Sequence, residues 1–368
     1  MPLHEPTLAG NEWSYIKECL DTGWVSSAGP YVDRFEAELC EFTGAKHAVA
    51  TASGTAALHI CLKLAGVESG DEVLVPALTF VATANAVAYC SAVPHFVDSS
   101  EITLGMDPAR LAAYLQETTI LRGHTCFNSR TGARIRAVLP MHTFGCPVDL
   151  NPLIEVAERF GLVLVEDAAE SLGSYYKGRH TGCFGKLAAL SFNGNKVVTT
   201  GGGGAILTND SSLAQMAKHV TTTAKLPHPW AFVHDQVGYN YRLPNINAAL
   251  GCAQLEQLPG FLKKKRQLAA KYASAFRDVA GVSLFTEPPF ATSNYWLNVL
   301  LLDEPLVSQR DELLAAAHQA GFLSRPAWTP LHKLPMFCAY PRMDLPVTEQ
   351  LERRVINLPS SPSLVADE

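Results

Sequence analysis

A lone lysine closes the segment Ser191-Phe192-Asn193-Gly194-Asn195-Lys196, after an apolar strand-like run and a Gly-Asn turn. In an enclosed, partly desolvated site such a lysine sheds its charge and becomes a nucleophile able to form a Schiff base; on an open loop it would simply be solvated. Glycines 201 to 204 follow, and they let the backbone pass close to a ligand or a neighbouring strand. A second segment, Val165-Glu166-Asp167-Ala168-Ala169-Glu170, runs from an apolar strand into acids. Acids there sit at the carboxyl end of a parallel strand, where ligands of open α/β sheets bind. A carboxylate buried at such a point needs a positive partner, because desolvating it alone costs several kcal/mol. A protonated ring nitrogen would serve; an Asp capping the next helix is the plain alternative.

A third segment, Ala52-Ser53-Gly54-Thr55-Ala56-Ala57-Leu58, opens a helix with small residues, so free backbone N–H groups and two hydroxyls converge where a phosphate could sit. Ser53 and Thr55 could equally be plain N-caps. A Schiff-base lysine, an acid for a pyridine nitrogen and a helix-end phosphate cup are together the parts that pyridoxal 5'-phosphate chemistry requires. The Walker spacing is absent, no G-x-G-x-x-G opens a helix after a strand, and the twelve histidines show no ligand spacing. No triphosphate loop, nicotinamide site or metal centre is expected. His142, at a strand end, could touch the site.

The elements that must position these residues follow from periodicity. Short apolar runs at 73–76, 93–97, 137–139, 162–165, 188–192 and 205–207 predict buried strands, and the spacing at 55–65, 81–88 and 153–160 predicts helices. Their alternation implies an α/β fold with a mostly parallel sheet. Residues 246–258 and 262–276 predict a long helical link with a basic cluster, Lys263 to Arg266, that reads as a solvated face. Beyond it a smaller α+β domain is expected, so the reading is a large domain over 1–250 and a small one over 251–368. Residues 118–136 are polar and predict a surface loop or short hairpin between a helix and its strand.

At 368 residues, 48% apolar and 17% charged, the chain can bury a sizeable core. A net charge of -6 without a run of Lys or Arg gives no footprint for nucleic acid or an anionic membrane. Nine scattered cysteines without a C-x-x-C pair point to a reducing compartment. No segment resembles a signal peptide or is long and apolar enough to span a bilayer, so a cytoplasmic location is expected.

The chain resembles the DegT/DnrJ/EryC1/StrS family of sugar aminotransferases, fold-type I pyridoxal-phosphate enzymes, over essentially its whole length. The resemblance rests on Gly70 to Phe80, His142 to Asp149, Glu166 to Glu170, Ser191 to Lys196 and Gly238 to Arg242, in this order. It implies that Lys196 forms the Schiff base, that Asp167 pairs with the pyridine nitrogen, and that Phe80 stacks on the ring. Gly54, Thr55 and Ser191 would hold the phosphate, and Asn240 would reach the phosphate of a neighbouring subunit, making a homodimer with shared sites. Many members carry Gln where this chain has Glu170, which would lie near the ring hydroxyl. Trp328 and His332 would line the substrate mouth. Lys at 196, in place of the His of the dehydratase branch, implies transamination.

Trp13, residues 18–27, residues 118–136 and Pro227 to Trp230 are similar to the legionaminic-acid branch, and the amino-terminal stretch is also similar to perosamine synthases. Residues 191–196 and 118–136 resemble the acetamido-sugar branch more closely, and that resemblance implies a UDP-linked 2-acetamido-4-keto-2,4,6-trideoxyhexose as acceptor with L-glutamate as donor. GDP-4-keto-6-deoxymannose is the alternative acceptor, and a non-catalytic cofactor-binding regulator is the alternative class.

Overall fold

Runs of Val, Leu and Ala too short for a helix, cut off by Gly, Pro or Asp, become strands here because only a sheet covered on both faces can bury them completely. The structure is a computed structural model, and it describes residues 1–366. Its elements are α1 (Glu12–Thr22), α2 (Pro30–Thr43), β1 (His47–Thr51), α3 (Gly54–Leu64), β2 (Glu72–Pro76), α4 (Ala82–Tyr89), β3 (Val93–Val97) and α5 (Pro108–Thr118). Next come β4 (Thr119–Arg122), β5 (Thr125–Asn128), β6 (Arg134–Val138), α6 (Leu150–Phe160), β7 (Val163–Asp167), β8 (Tyr175–Tyr176), β9 (Arg179–His180), β10 (Leu187–Ser191), β11 (Gly204–Thr208) and α7 (Ser211–Thr221). The chain then runs through α8 (Asn245–Phe276), β12 (Val282–Leu284), β13 (Ala291–Thr292), β14 (Asn298–Leu302), α9 (Arg310–Gln319), β15 (Arg325–Pro326), α10 (Pro346–Arg354) and β16 (Val355–Leu358).

The large sheet has the order β1-β11-β10-β7-β6-β2-β3. Neighbours from β10 to β3 pair in parallel, whereas β11 is antiparallel to both β10 and β1. The fold is therefore α/β with a mostly parallel sheet, as the alternation implied. The reversed strand has a local cause. Only 12 residues separate the end of β10 from the start of β11, too few for a helical crossover, and a short connection returns the chain antiparallel. Strand β1, which carries no strong apolar run, is a sheet edge that periodicity did not reveal.

Side chains alternate across the sheet as the strand period of two requires. Val49, Leu187, Ala189 and Ile206 point into one apolar cluster, while Ala48, Ala50, Ala188, Leu190, Ala205 and Leu207 point into another. The second cluster also takes Phe35 of α2, Leu258 of α8 and Trp296, so the sheet, α8 and the carboxyl-terminal part share one packed interior. Helix α8 is a single element through residue 250 and across Pro259, and β12, β14, β16 and β15 form a four-stranded antiparallel sheet beyond it.

Residues 118–136 fold as the hairpin β4–β5, joined to the large sheet by the antiparallel β5–β6 pair. Asn128 and Thr131 donate to the carboxylate of Glu72, the first residue of β2, at 2.9 and 2.6 Å. The hairpin thus belongs to the amino ends of the strands. Among the described residues no helix is long and apolar enough to cross a membrane.

The close approach of α3 to the sheet depends on Gly204. A Cβ there would lie 2.5 Å from the carbonyl carbon of Ser53 and 2.6 Å from the nitrogen of Gly54, backbone atoms that cannot swing aside, whereas a Cβ at Gly202 would meet nothing within 4 Å. Gly204→Ala is expected to cost about 1–3 kcal/mol or more, and Gly202→Ala to stay within about 0.5 kcal/mol of the parent. Denaturant melts of the two variants check this; equal midpoints would refute the packing argument.

Candidate active site

At the carboxyl ends of the central strands a cavity of about 330 Å³ is lined by residues that follow β2, β6, β7 and β10 and by the start of α3. Lys196, Asp167, Glu170, Gly54, Thr55, Phe80, Ser191 and Trp328 all face this one space. Met141, Asn193, Asn195, Gly202, Gly203 and Trp296 also line it, and of these Trp296 carried no sequence signal, because it comes from the segment before β14, far along the chain.

Of the two acids ending β7, only Asp167 faces the cavity. Glu166 points the other way and is spent on the fold. Its carboxylate accepts the backbone N–H groups of Gly182, Phe184 and Gly185 at 2.7–2.8 Å and the Nε2–H of His142 at 3.1 Å. Burial would raise its pKa, but His142 and those amides hold it below the usual carboxylate range. His142 Nδ1 accepts from Val148 N–H at 3.3 Å, so both ring nitrogens are engaged within the fold and the ring is a structural link rather than a site group.

Asp167 is buried and accepts from Thr83 Oγ1–H at 2.8 Å and from Ala169 N–H at 3.2 Å. Thr83 spends its one proton on Asp167, so Thr79 Oγ1, 2.8 Å from Thr83 Oγ1, is the donor in that second contact. Burial pushes the Asp167 carboxyl up, while Thr83, Ala169 and the Lys196 charge pull it down. It is an acid held in want of a cationic partner.

Glu170 is equally buried and lies 3.3 Å from Lys196 Nζ. It also accepts the N–H of Phe144 at 2.9 Å, and Phe144 takes a left-handed conformation, φ 54, to deliver it. Burial pushes the Glu170 carboxyl up to about 7, against the pull of Lys196. The ring of Phe144 stacks on Trp328 with centroids 4.7 Å apart.

Ser53 caps α3, its Oγ accepting from Ala56 N–H at 3.1 Å. Thr55 is not a cap. It stands in the first turn, where the N–H groups of Gly54 and Thr55 have no acceptor within the helix and open onto the cavity beside Ser191. Phe80 is half exposed at the mouth. His332, expected at the substrate mouth, does not line this cavity, and neither does Asn240, which was expected to serve a neighbouring subunit. Asn240 is exposed and takes the Arg242 guanidinium on its Oδ1 at 2.9 and 3.1 Å, and His332 is buried against Glu349 at 3.3 Å. Among the described residues no cluster of three or more His, Cys, Asp or Glu could hold a metal ion.

The model of the DegT/DnrJ/EryC1/StrS aminotransferase family matches residues 6–368. The chain belongs to that family. This sugar aminotransferase is 37% identical over 370 residues to EpsN of Bacillus subtilis (strain 168), a relative named for a pyridoxal phosphate-dependent aminotransferase, covering 100% of this chain and 92% of the relative. It is 36% identical over 364 residues to the GDP-perosamine synthase of Escherichia coli O157:H7, covering 99% of this chain and 94% of the other. Its fold superposes on the crystal structure of a DegT DnrJ EryC1 StrS aminotransferase from Brucella abortus with a TM-score of 0.87 at 31% identity, over 96% of this chain and 91% of that one. Pyridoxal phosphate is the cofactor of this enzyme. The residues present fit it: an open helix end for an anion, a buried carboxylate lacking a full cation, and a lysine amine face the same cavity.

The raised Glu170 pKa has a defined effect on stability. From the usual value of 4.5 to about 7 the folded chain without cofactor binds more protons at this site than the unfolded chain, so stability falls as pH rises through that window. Glu170→Gln removes the titration. The variant should gain on the parent progressively across the window, by up to roughly 3 kcal/mol. Cofactor-free unfolding midpoints at about pH 5 and pH 8 read this; a constant difference between the two proteins would refute it.

Proposed function

We infer that this enzyme moves an amino group from an amino acid, L-glutamate in this reading, to the 4-keto carbon of a nucleotide-linked 4-keto-6-deoxyhexose. The observation that carries it is the convergence of Lys196 Nζ, buried Asp167 and the open end of α3 on one cavity of about 330 Å³. Pyridoxal phosphate supplies the electron sink when bound. Lys196 holds its aldehyde through Nζ and, when free, moves a proton at Nζ to and from the substrate carbon. Asp167 holds the proton on the ring nitrogen, Phe80 covers the ring face, and Gly54, Thr55 and Ser191 bind the phosphate. Glu170 holds a proton next to Lys196. Trp328, stacked on Phe144, borders the space left for the sugar, whereas His332, turned toward Glu349, would act on it only indirectly.

In this reading the working unit is a homodimer, with exposed Asn240 reaching the site of a second copy. Free cysteines throughout support a cytoplasmic setting.

For the acceptor, the relative named GDP-perosamine synthase, 36% identical along nearly the whole chain, supports a GDP-linked 4-keto-6-deoxymannose. The UDP-linked acetamido sugar retains the support of residues 191–196 but not that of the 118–136 hairpin, which is bonded to the amino end of β2, away from the end of the sheet that bears the cavity. The GDP reading is therefore preferred.

Two outcomes test these assignments. Asp167→Asn keeps the shape and removes the charge, and the half-reaction with glutamate should slow by about 100-fold or more, since preorganised charge at a developing centre is worth several kcal/mol. An unchanged single-turnover rate would refute the role. With glutamate as donor and a panel of GDP- and UDP-linked 4-keto sugars, kcat/KM should favour the GDP sugar by about 100-fold, because polar groups built for one substituent are left unpaired by another. Preference for the UDP-acetamido sugar would reverse the nucleotide choice alone, and turnover of neither would sink amination at the fourth carbon.

A further inference from the structure

Transamination requires the amine of the tethering lysine to leave the cofactor, wait close by, and return. A resting place must hold it in order and yet release it. We propose that Trp296 is the positioning residue that docks the free amine of Lys196, an inference that rests on Lys196 being the cofactor-bearing lysine.

The indole ring of Trp296 lies under Lys196 Nζ, 3.9 Å from its centroid, while Glu170 Oε1 lies 3.3 Å from the same nitrogen. The ring is buried, so the contact is desolvated on that side, where a cation held against an indole face gains most. Its orientation is set from the lysine's own backbone. Trp296 Nε1–H donates to the carbonyl oxygen of Asn195, the residue before Lys196, at 2.7 Å. One side chain thus grips both the main chain at the lysine's root and the amine at its tip.

The backbone of Trp296 is held at both ends. Its N–H donates to Asn294 Oδ1 at 2.7 Å, and Asn294 Nδ2 in turn donates to the carbonyl oxygens of Glu170 and Leu172 at 2.9 Å each. Its carbonyl oxygen accepts from Lys265 Nζ at 3.2 Å, and that same amine donates to Ser360 O at 2.7 Å. Lys265 is completely buried, and burial holds its pKa well below the usual lysine range. A lysine kept there at that cost accounts for itself by fixing the two carbonyls. Asn294 therefore ties together the main chains of the two residues whose side chains flank the amine, Trp296 and Glu170.

The test reads the amine directly. Enzyme carrying the cofactor in its pyridoxamine form leaves Lys196 free, and a pulse of acetic anhydride followed by peptide mass mapping gives the acetylation rate of Lys196 against the other lysines. Trp296→Leu should raise that rate by about 3- to 10-fold, and Trp296→Phe, which keeps an aromatic face, should lie between parent and leucine variant. Should the leucine variant not fold, tryptophans bearing increasing numbers of fluorines at position 296 weaken the ring's negative face with little change of shape. Lys196 acetylation should then rise stepwise with fluorination. A rate insensitive to fluorination, or a leucine variant that folds and labels like the parent, overturns the dock. The pyridoxal form is the control: there Lys196 should be protected outright, and equal labelling in both forms would remove Lys196 as the cofactor lysine and the dock with it.

Discussion

Two buried carboxylates, Asp167 and Glu170, share one cavity with one ammonium, Lys196, among the described residues that line it. That imbalance governs the site. Taking both acids out of water raises the pKa of each, and one amine cannot neutralise two charges. A cationic group bound against Asp167 would relieve the deficit there, leaving beside the lysine the Glu170 carboxyl, which burial pushes up to about 7 in the cofactor-free chain. The cofactor is thus a component of the electrostatic balance as well as the seat of the chemistry.

The scaffold supplies the imbalance by geometry. Strand alternation at the end of β7 sends Glu166 inward to the amides of 182–185 and His142, and Asp167 outward to the cavity. Had the register slipped by one residue, the roles of the two acids would exchange. Gly54 and Gly204 bring the start of α3 against β10 and β11, so that the helix end meets the same space as the lysine that follows β10.

The carboxyl-terminal segment completes the site rather than flanking it. Asn294, Trp296 and Trp328 reach across to Glu170, Lys196 and Phe144. Strain at Phe144, a non-glycine residue in the left-handed region, is stabilised by what it delivers, an N–H to a buried carboxylate and a ring against Trp328. Motion of the carboxyl-terminal segment relative to the sheet would alter the environment of the Lys196 amine directly.

Much of this was legible in the residues alone. The short apolar runs bounded by breakers determined the central strands, and Lys196, Asp167 and the Ser53-Gly54-Thr55 turn stood out because each sits next to a strand end, where the structure places them on one cavity. Local pattern also identified the polar 118–136 segment as a loop or hairpin but not which end of the sheet it joins, because that depends on its bonds to Glu72, a residue far away in sequence. For the same reason Trp296 was silent, and Lys265, read with Lys263 to Arg266 as part of a solvated face, is instead fully buried with its amine on the carbonyls of Trp296 and Ser360. The choice between Glu166 and Asp167, the antiparallel return of β11 and the single cap of α3 were likewise decided by register and packing. Sequence determines what each short segment can do; only the tertiary structure decides which of those groups share a desolvated space, because burial and charge pairing depend on contacts between residues distant along the chain.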